Sequence, residues 1–76
     1  MIDYLEIDFQ KVDGYKKLSE SGKKAFQMIY KKHNAQLGEN YKKDWIPKKV
    51  KEYSSHLIVH FANGEWLHYL PNGTWY

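Results

Sequence analysis

Residues 61–76 read FANGEWLHYLPNGTWY, in which Asn-Gly occurs twice and a tryptophan follows each time two residues after the glycine. How these two turns are built decides which rings share a face. In Ala62-Asn63-Gly64-Glu65 the dipeptide fits a two-residue type I′ hairpin, whose two central positions take positive φ and favour Asn-Gly. That register sets Phe61 opposite Trp66, Val59 opposite His68 and Leu57 opposite Leu70. In Leu70-Pro71-Asn72-Gly73-Thr74 a two-residue loop would put Pro71 where the ladder needs an N–H, and proline has none. A type I turn centred on Pro71 and Asn72, with Gly73 as a left-handed bulge, avoids the loss. It brings Thr74 opposite Leu70 and Trp75 opposite Tyr69.

Because side chains alternate along a strand, these registers sort the rings into two faces. Leu57, Val59, Phe61, Trp66, His68 and Leu70 form one, the natural bed for a helix. Ile58, His60, Leu67, Tyr69 and Trp75 form the other. An antiparallel sheet with one solvated face normally alternates apolar with polar, so a second apolar face needs a cover. Burial under Ile2, Leu5 and Phe9 of the N-terminal segment is the simpler reading, since an open patch of that size is unusual in a monomer. If it stays open, Ile58, His60, Leu67, Tyr69 and Trp75 are the partner-binding surface, with Tyr69 and Trp75 as its anchors.

Upstream, Ser19 caps a helix whose apolar positions Phe26, Ile29, Tyr30, His33 and Leu37 keep helical spacing. Gly38 closes it as a C′ glycine. Glu20, Lys23, Lys24, Gln27, Lys31 and Asn34 make its solvated side. Residues 2–12 fit both a helix (Ile2, Leu5, Phe9, Val12) and a strand (Leu5, Ile7, Phe9), and the helix is preferred. Residues 39–47 read as a loop, with Pro47 forcing Ile46 to be extended. Beyond it the period turns to two: KKVKEY, HLIVHF and EWLHYL are strands, YSSH is a turn, and TWY is a short last strand. The fold class is α+β, with one or two N-terminal helices packed on a C-terminal three- or four-stranded antiparallel β-meander. The chain reads as a single domain, 1–38 mainly helical, 39–47 loop and 48–76 meander.

Composition narrows the chemistry. With no cysteine, disulfides and thiolate metal sites are excluded, and 17% aromatic residues supply burial instead. MIDYLEIDF is acidic where an export signal is basic, and the longest apolar run, LIV at 57–59, cannot span a bilayer, so no membrane partner and a cytoplasmic location are expected. Net charge is +3 and all 12 positive charges are lysines, the usage expected of AT-rich coding sequence. Without arginine, the bidentate guanidinium contact usual for reading guanine edges and anchoring desolvated phosphates is missing.

No catalytic or cofactor motif is present, and no enzyme activity, cofactor or metal is expected. His56 and His60 lie about 13 Å apart along a strand, too far for one ion, and His60 and His68 point to opposite faces in the register above. His33 belongs to the buried side of the helix. Asp3, Glu6 and Asp8 cluster without a phosphate loop or an activated nucleophile. Two binding classes remain. Lys42, Lys43, Lys48, Lys49 and Lys51 beside an aromatic sheet would suit single-stranded nucleic acid. Because these lysines lie off the second face, a protein partner held by Tyr and Trp anchors is preferred. Monomer and homodimer are both open.

The segment HLIVHFANGEWLHYLPNGTWY, after the helix AFQMIYKKHN, resembles short accessory proteins of phages and prophages of Gram-positive bacteria in length, composition and its NGEW…YLPNGTWY ending. That resemblance implies binding to a host protein and its modulation or inhibition, defence nucleases among the targets. The acidic, DNA-mimicking surface of many such inhibitors is absent here, so inhibition would proceed by blocking or by allostery.

Overall fold

The period of the apolar pattern changes at Pro47, and the architecture divides there. A computed structural model describes residues 4–76. Helix α1 (Glu20–Ala35) and the one-turn α2 (Glu39–Lys42) precede strands β1 (Pro47–Glu52), β2 (Leu57–Phe61) and β3 (Trp66–Tyr69), which form an antiparallel sheet in that order. This is the expected α+β fold with a C-terminal meander.

Helix α1 starts where the sequence sets it. Ser19 Oγ accepts the Gly22 N–H at 3.0 Å. The Glu52 carboxylate, at the end of β1, accepts the Ser19 N–H at 2.8 Å and the Ser19 hydroxyl at 2.7 Å, so the helix start is tied to the sheet. Those two bonds hold the Glu52 carboxyl below its ordinary value. Phe26, Ile29 and Tyr30 are wholly buried against Val50, Leu57, Val59, Phe61 and Tyr69, with Val12, Tyr15 and Leu18 closing the core.

The C-terminal end of α1 differs from expectation. Gly38 has φ −66° and serves as the N-cap of α2, so it is not a left-handed C′ residue. The helix stops at Ala35, and the Gln36 and Leu37 amides turn back to the His33 and Asn34 carbonyls at 3.1 and 3.0 Å. Asn34, read as solvated, is fully buried. Its Oδ1 accepts the Leu5 N–H at 2.7 Å and its amide donates to the Lys42 carbonyl at 3.2 Å, while its own carbonyl accepts Lys42 Nζ at 2.8 Å. Where three backbone segments meet, a short amide satisfies groups that an apolar side chain would strand. The segment 39–47, expected as a loop, therefore carries α2 and a 3₁₀ turn, Lys43–Trp45.

The N-terminal segment is neither helix nor strand over Leu5–Asp8, and a 3₁₀ turn, Phe9–Lys11, follows, capped by Asp8. Ile2 and Asp3 lie outside the described residues. Phe9 enters the core beside Phe26, Tyr30 and Tyr15, at ring distances of 5.5, 5.7 and 6.0 Å. The Tyr30 hydroxyl donates to the Leu5 carbonyl at 2.6 Å, and burial first, then the neighbouring Tyr4, pushes its pKa up to about 12. Asp13 then pairs in parallel with β1 at Lys49. Gly14 follows at φ +89°, where a Cβ would overlap the Val50 carbonyl oxygen. The segment thus packs on α1 and the β1 edge.

His33 closes the far end of the core. Its ring lies 5.2 Å from Trp45, 5.5 Å from Trp75 and 5.8 Å from Phe61, and burial lowers its pKa. The unfolded chain therefore binds the proton first. The stability that neutral His33 confers is complete above its unfolded value of 6.5 and falls as pH drops below it. Glu52, also depressed, acts in a lower window, below 4.5. Melting temperature followed by circular dichroism should decline from about pH 7.5 to about pH 5 in the parent and decline less in His33→Leu. A parent whose melting is flat across that range would mean the nest of rings is open to water.

Candidate functional site

The β2–β3 turn decides which rings face out. The Gly64 N–H returns to the Phe61 carbonyl at 3.0 Å and the Phe61 N–H to Glu65 at 2.8 Å, so the loop has three residues, Ala62–Gly64. Gly64 alone takes positive φ, +87°, and Asn63 Oδ1 accepts the Glu65 N–H at 2.9 Å. The second turn repeats it. Gly73 returns to Leu70 at 3.0 Å, Leu70 to Thr74 at 2.8 Å, Gly73 has φ +91°, and Asn72 Oδ1 accepts the Thr74 N–H at 3.0 Å.

The expected type I′ turn at Asn63-Gly64 is therefore replaced by a type I turn with a glycine bulge. It keeps Asn63 out of the left-handed region, and the Asn side chain satisfies the amide that the bulge would leave unpaired. Register moves by one. His60 pairs with Trp66, Val59 with Leu67, Ile58 with His68 and Leu57 with Tyr69. The expected pairs Phe61 with Trp66, Val59 with His68 and Leu57 with Leu70 do not form, whereas Tyr69 does oppose Trp75 as expected.

That one step redistributes the five residues assigned to the contact surface. Ile58 and His60 stay on the outward face, half-buried and exposed respectively. Tyr69 is 1% exposed and belongs to the core, its hydroxyl raised in pKa by burial and without a hydrogen-bond partner among the described residues. Leu67 packs on the core beside it, and Trp75 packs on His33. Trp66 and His68 take their places outside, with Trp66 52% exposed.

The outward face is built of rings and cations. An open depression of about 370 Å³ is lined by Lys49, Lys51, Tyr53, Ile58, His60 and Trp66. β1 places Lys49 opposite His60 and Lys51 opposite Ile58, and Lys51 Nζ lies 5.4 Å from the Tyr53 ring centre. At one end the rings run in a row. Tyr53 stacks on His56 at 5.2 Å, His56 stands 5.1 Å from His68, and His68 stacks on Tyr76 at 4.6 Å. Trp66 joins it at 5.2 Å from His68. Sequence reasoning missed Tyr53, His56, Trp66, His68 and Tyr76; the bulge argument made for Gly73, applied to Gly64, finds Trp66 and His68.

The other expected lysines are elsewhere. Lys42 is buried with its ammonium on the Asn34 carbonyl, which removes it from any nucleic-acid surface. Lys43 is exposed on the 3₁₀ turn, and Lys48 is exposed with its carbonyl holding the Asp13 N–H at 3.0 Å. A second, smaller hollow of about 140 Å³ lies between the start of α1 and residues 52–57, where Glu52 already occupies the helix N-terminus. Among the described residues no group of three His, Asp or Glu side chains is placed to hold a metal ion, and no helix is long and apolar enough to cross a membrane.

No family model matches the chain, and no curated protein or solved structure matches it. The resemblance to phage accessory proteins gains no support from them.

The corrected register makes opposite demands on two aromatic residues. Tyr69→Ala should lower stability by about 3–5 kcal/mol, enough to unfold a domain of this size, while Trp66→Ala should change it by less than about 1 kcal/mol. Urea unfolding followed by circular dichroism separates them; equal losses would place Trp66 in the core.

Proposed function

We propose that the chain is a non-enzymatic binding module that takes single-stranded nucleic acid on its outward sheet face. The observation that supports this is the joint presence of Lys49 and Lys51 with Trp66, Tyr53 and His60 around one open depression whose lining includes no carboxylate. Bases offer flat rings and phosphates offer charge, so a face that alternates rings with ammonium groups complements both at once. Duplex DNA hides the base faces, so the exposed rings have nothing there to stack on.

The preference for a host-protein partner rests on the modest net charge of +3 and on two premises that do not hold for this face. Tyr69 and Trp75 were its anchors, and Tyr69 is enclosed by the core. The lysines were placed off the aromatic face, and two of them now lie on it. Lysine without arginine suits backbone attraction and leaves sequence unread, so binding should tolerate any base sequence.

Fluorescence anisotropy with labelled oligothymidylate, oligouridylate and a duplex checks this. Both single strands should bind, and more tightly than the duplex. Trp66→Ala should weaken binding by roughly 5- to 100-fold, the loss of one stacked base. Lys49→Ala and Lys51→Ala should each lower the slope of log affinity against log salt by about 0.7. Binding that ignores all three substitutions would remove the site from this face. A chain that binds no oligonucleotide but captures a lysate protein through Trp66 would restore the protein-partner reading.

A further inference from the structure

We infer that His56, His60 and His68 couple the hold of this face on single-stranded nucleic acid to pH, binding growing tighter, with uptake of protons, as the pH falls through the imidazole range. The inference rests on the single-stranded reading of the same face.

The register puts the three imidazoles on one side of the sheet. His60 pairs with Trp66 and His68 with Ile58, so both emerge on the outward side, and His56 adds a third ring 5.1 Å from His68. Each has an aromatic neighbour: His56 on Tyr53, His68 on Tyr76, and His60 at 6.5 Å from Trp66. Such rings accept an imidazolium through their quadrupoles.

The surrounding groups favour a response to phosphate. From β1 come Lys49, opposite His60, and Lys51, opposite Ile58. From the turn at 53–56 come Tyr53 and Ser55, whose Oγ lies 2.9 Å from His56 Nδ1. From β3 and the residues after it come Trp66 and Tyr76. The carboxylates nearest in sequence are Glu52, held by Ser19, and Glu65, exposed at the hairpin end. His33 is enclosed in the core and takes no part.

Imidazolium charge on His56 or His68 would add to that of Lys49 and Lys51, and a phosphate laid on the face would meet the combined positive charge. A ligand that draws protons onto the protein is, by linkage, bound more tightly when protons are more abundant.

Anisotropy titrations of oligothymidylate, whose base does not titrate in this range, at about pH 8 and about pH 5.5 and fixed ionic strength test the coupling. Circular dichroism at each pH confirms the fold. Affinity should rise at least about tenfold at the lower pH, with the salt slope steeper by up to about 2, three imidazoliums at about 0.7 each. His56→Gln, His60→Gln and His68→Gln combined should remove the difference between the two pH values. Calorimetry of the parent in buffers of different ionisation enthalpy should show net proton uptake, and this measurement serves alone if the triple variant does not bind. Equal affinity at both pH values, a pH response that survives in the triple variant, or no proton uptake would overturn the inference and leave the single-stranded reading standing. No binding at either pH would overturn both.

Discussion

Everything on the sheet follows from the length of one loop. Three residues, Ala62–Gly64, separate the ends of β2 and β3, and only Gly64 enters the left-handed region. A strand has side-chain period two, so a two-residue loop would turn each ring of β3 to the opposite side. It would bury Trp66 and His68 and expose Tyr69. The chosen loop instead lets Val50, Val59 and Leu67 line up across three strands toward α1, and Leu57, Tyr69 and Trp75 do the same one step along. The turn is also anchored from outside, because the Ala62 and Asn63 amides donate to the Ile46 and Asp44 carbonyls at 2.9 and 3.1 Å. The short elements between α1 and β1 thus help to fix the register on which the binding face depends.

Much of the fold was legible in the sequence because its signals are local. The 3.6-residue spacing of Phe26, Ile29, Tyr30 and His33, the Ser19 cap and the change of period near Pro47 all report structure within a few residues. The second hairpin was legible because Pro71 forbids the competing turn on covalent grounds. The first was not. Asn63-Gly64 suits both a type I′ turn and a type I turn with a bulge, and the choice rests on amides satisfied by residues 44–46, distant in sequence. Asn34 shows the same limit: its helical position is read correctly, but its burial comes from Leu5 and Lys42.

The candidate face was half legible. Ile58 and His60 lie on β2, whose phase does not depend on the turn, and both stay on the outward side. Leu67, Tyr69 and Trp75 lie beyond the turn and inherited its one-residue displacement. Lys49 and Lys51 fall in the strand KKVKEY by sequence, but only its pairing with β2 shows that they stand among the rings. The two sides of the sheet then divide the work of a small chain without cysteine. One side spends its rings on a core of Phe26, Tyr30, Phe61 and Tyr69, where burial stabilises the fold. The other keeps Trp66, Tyr53 and Tyr76 open beside cations, where they are free to stack.

Cross-strand contacts between α protons test the register most directly. In an antiparallel pair the residues not joined by hydrogen bonds bring their α carbons to about 4.5 Å, which gives a strong nuclear Overhauser effect between their α protons. With Phe61 bonded to Glu65, the pairs of that kind are His60 with Trp66 and Ile58 with His68. Strong effects at those two pairs are the result expected. Strong effects between Phe61 and Trp66 and between Val59 and His68 would instead show the two-residue turn, and with it an outward face carrying Tyr69 in place of Trp66.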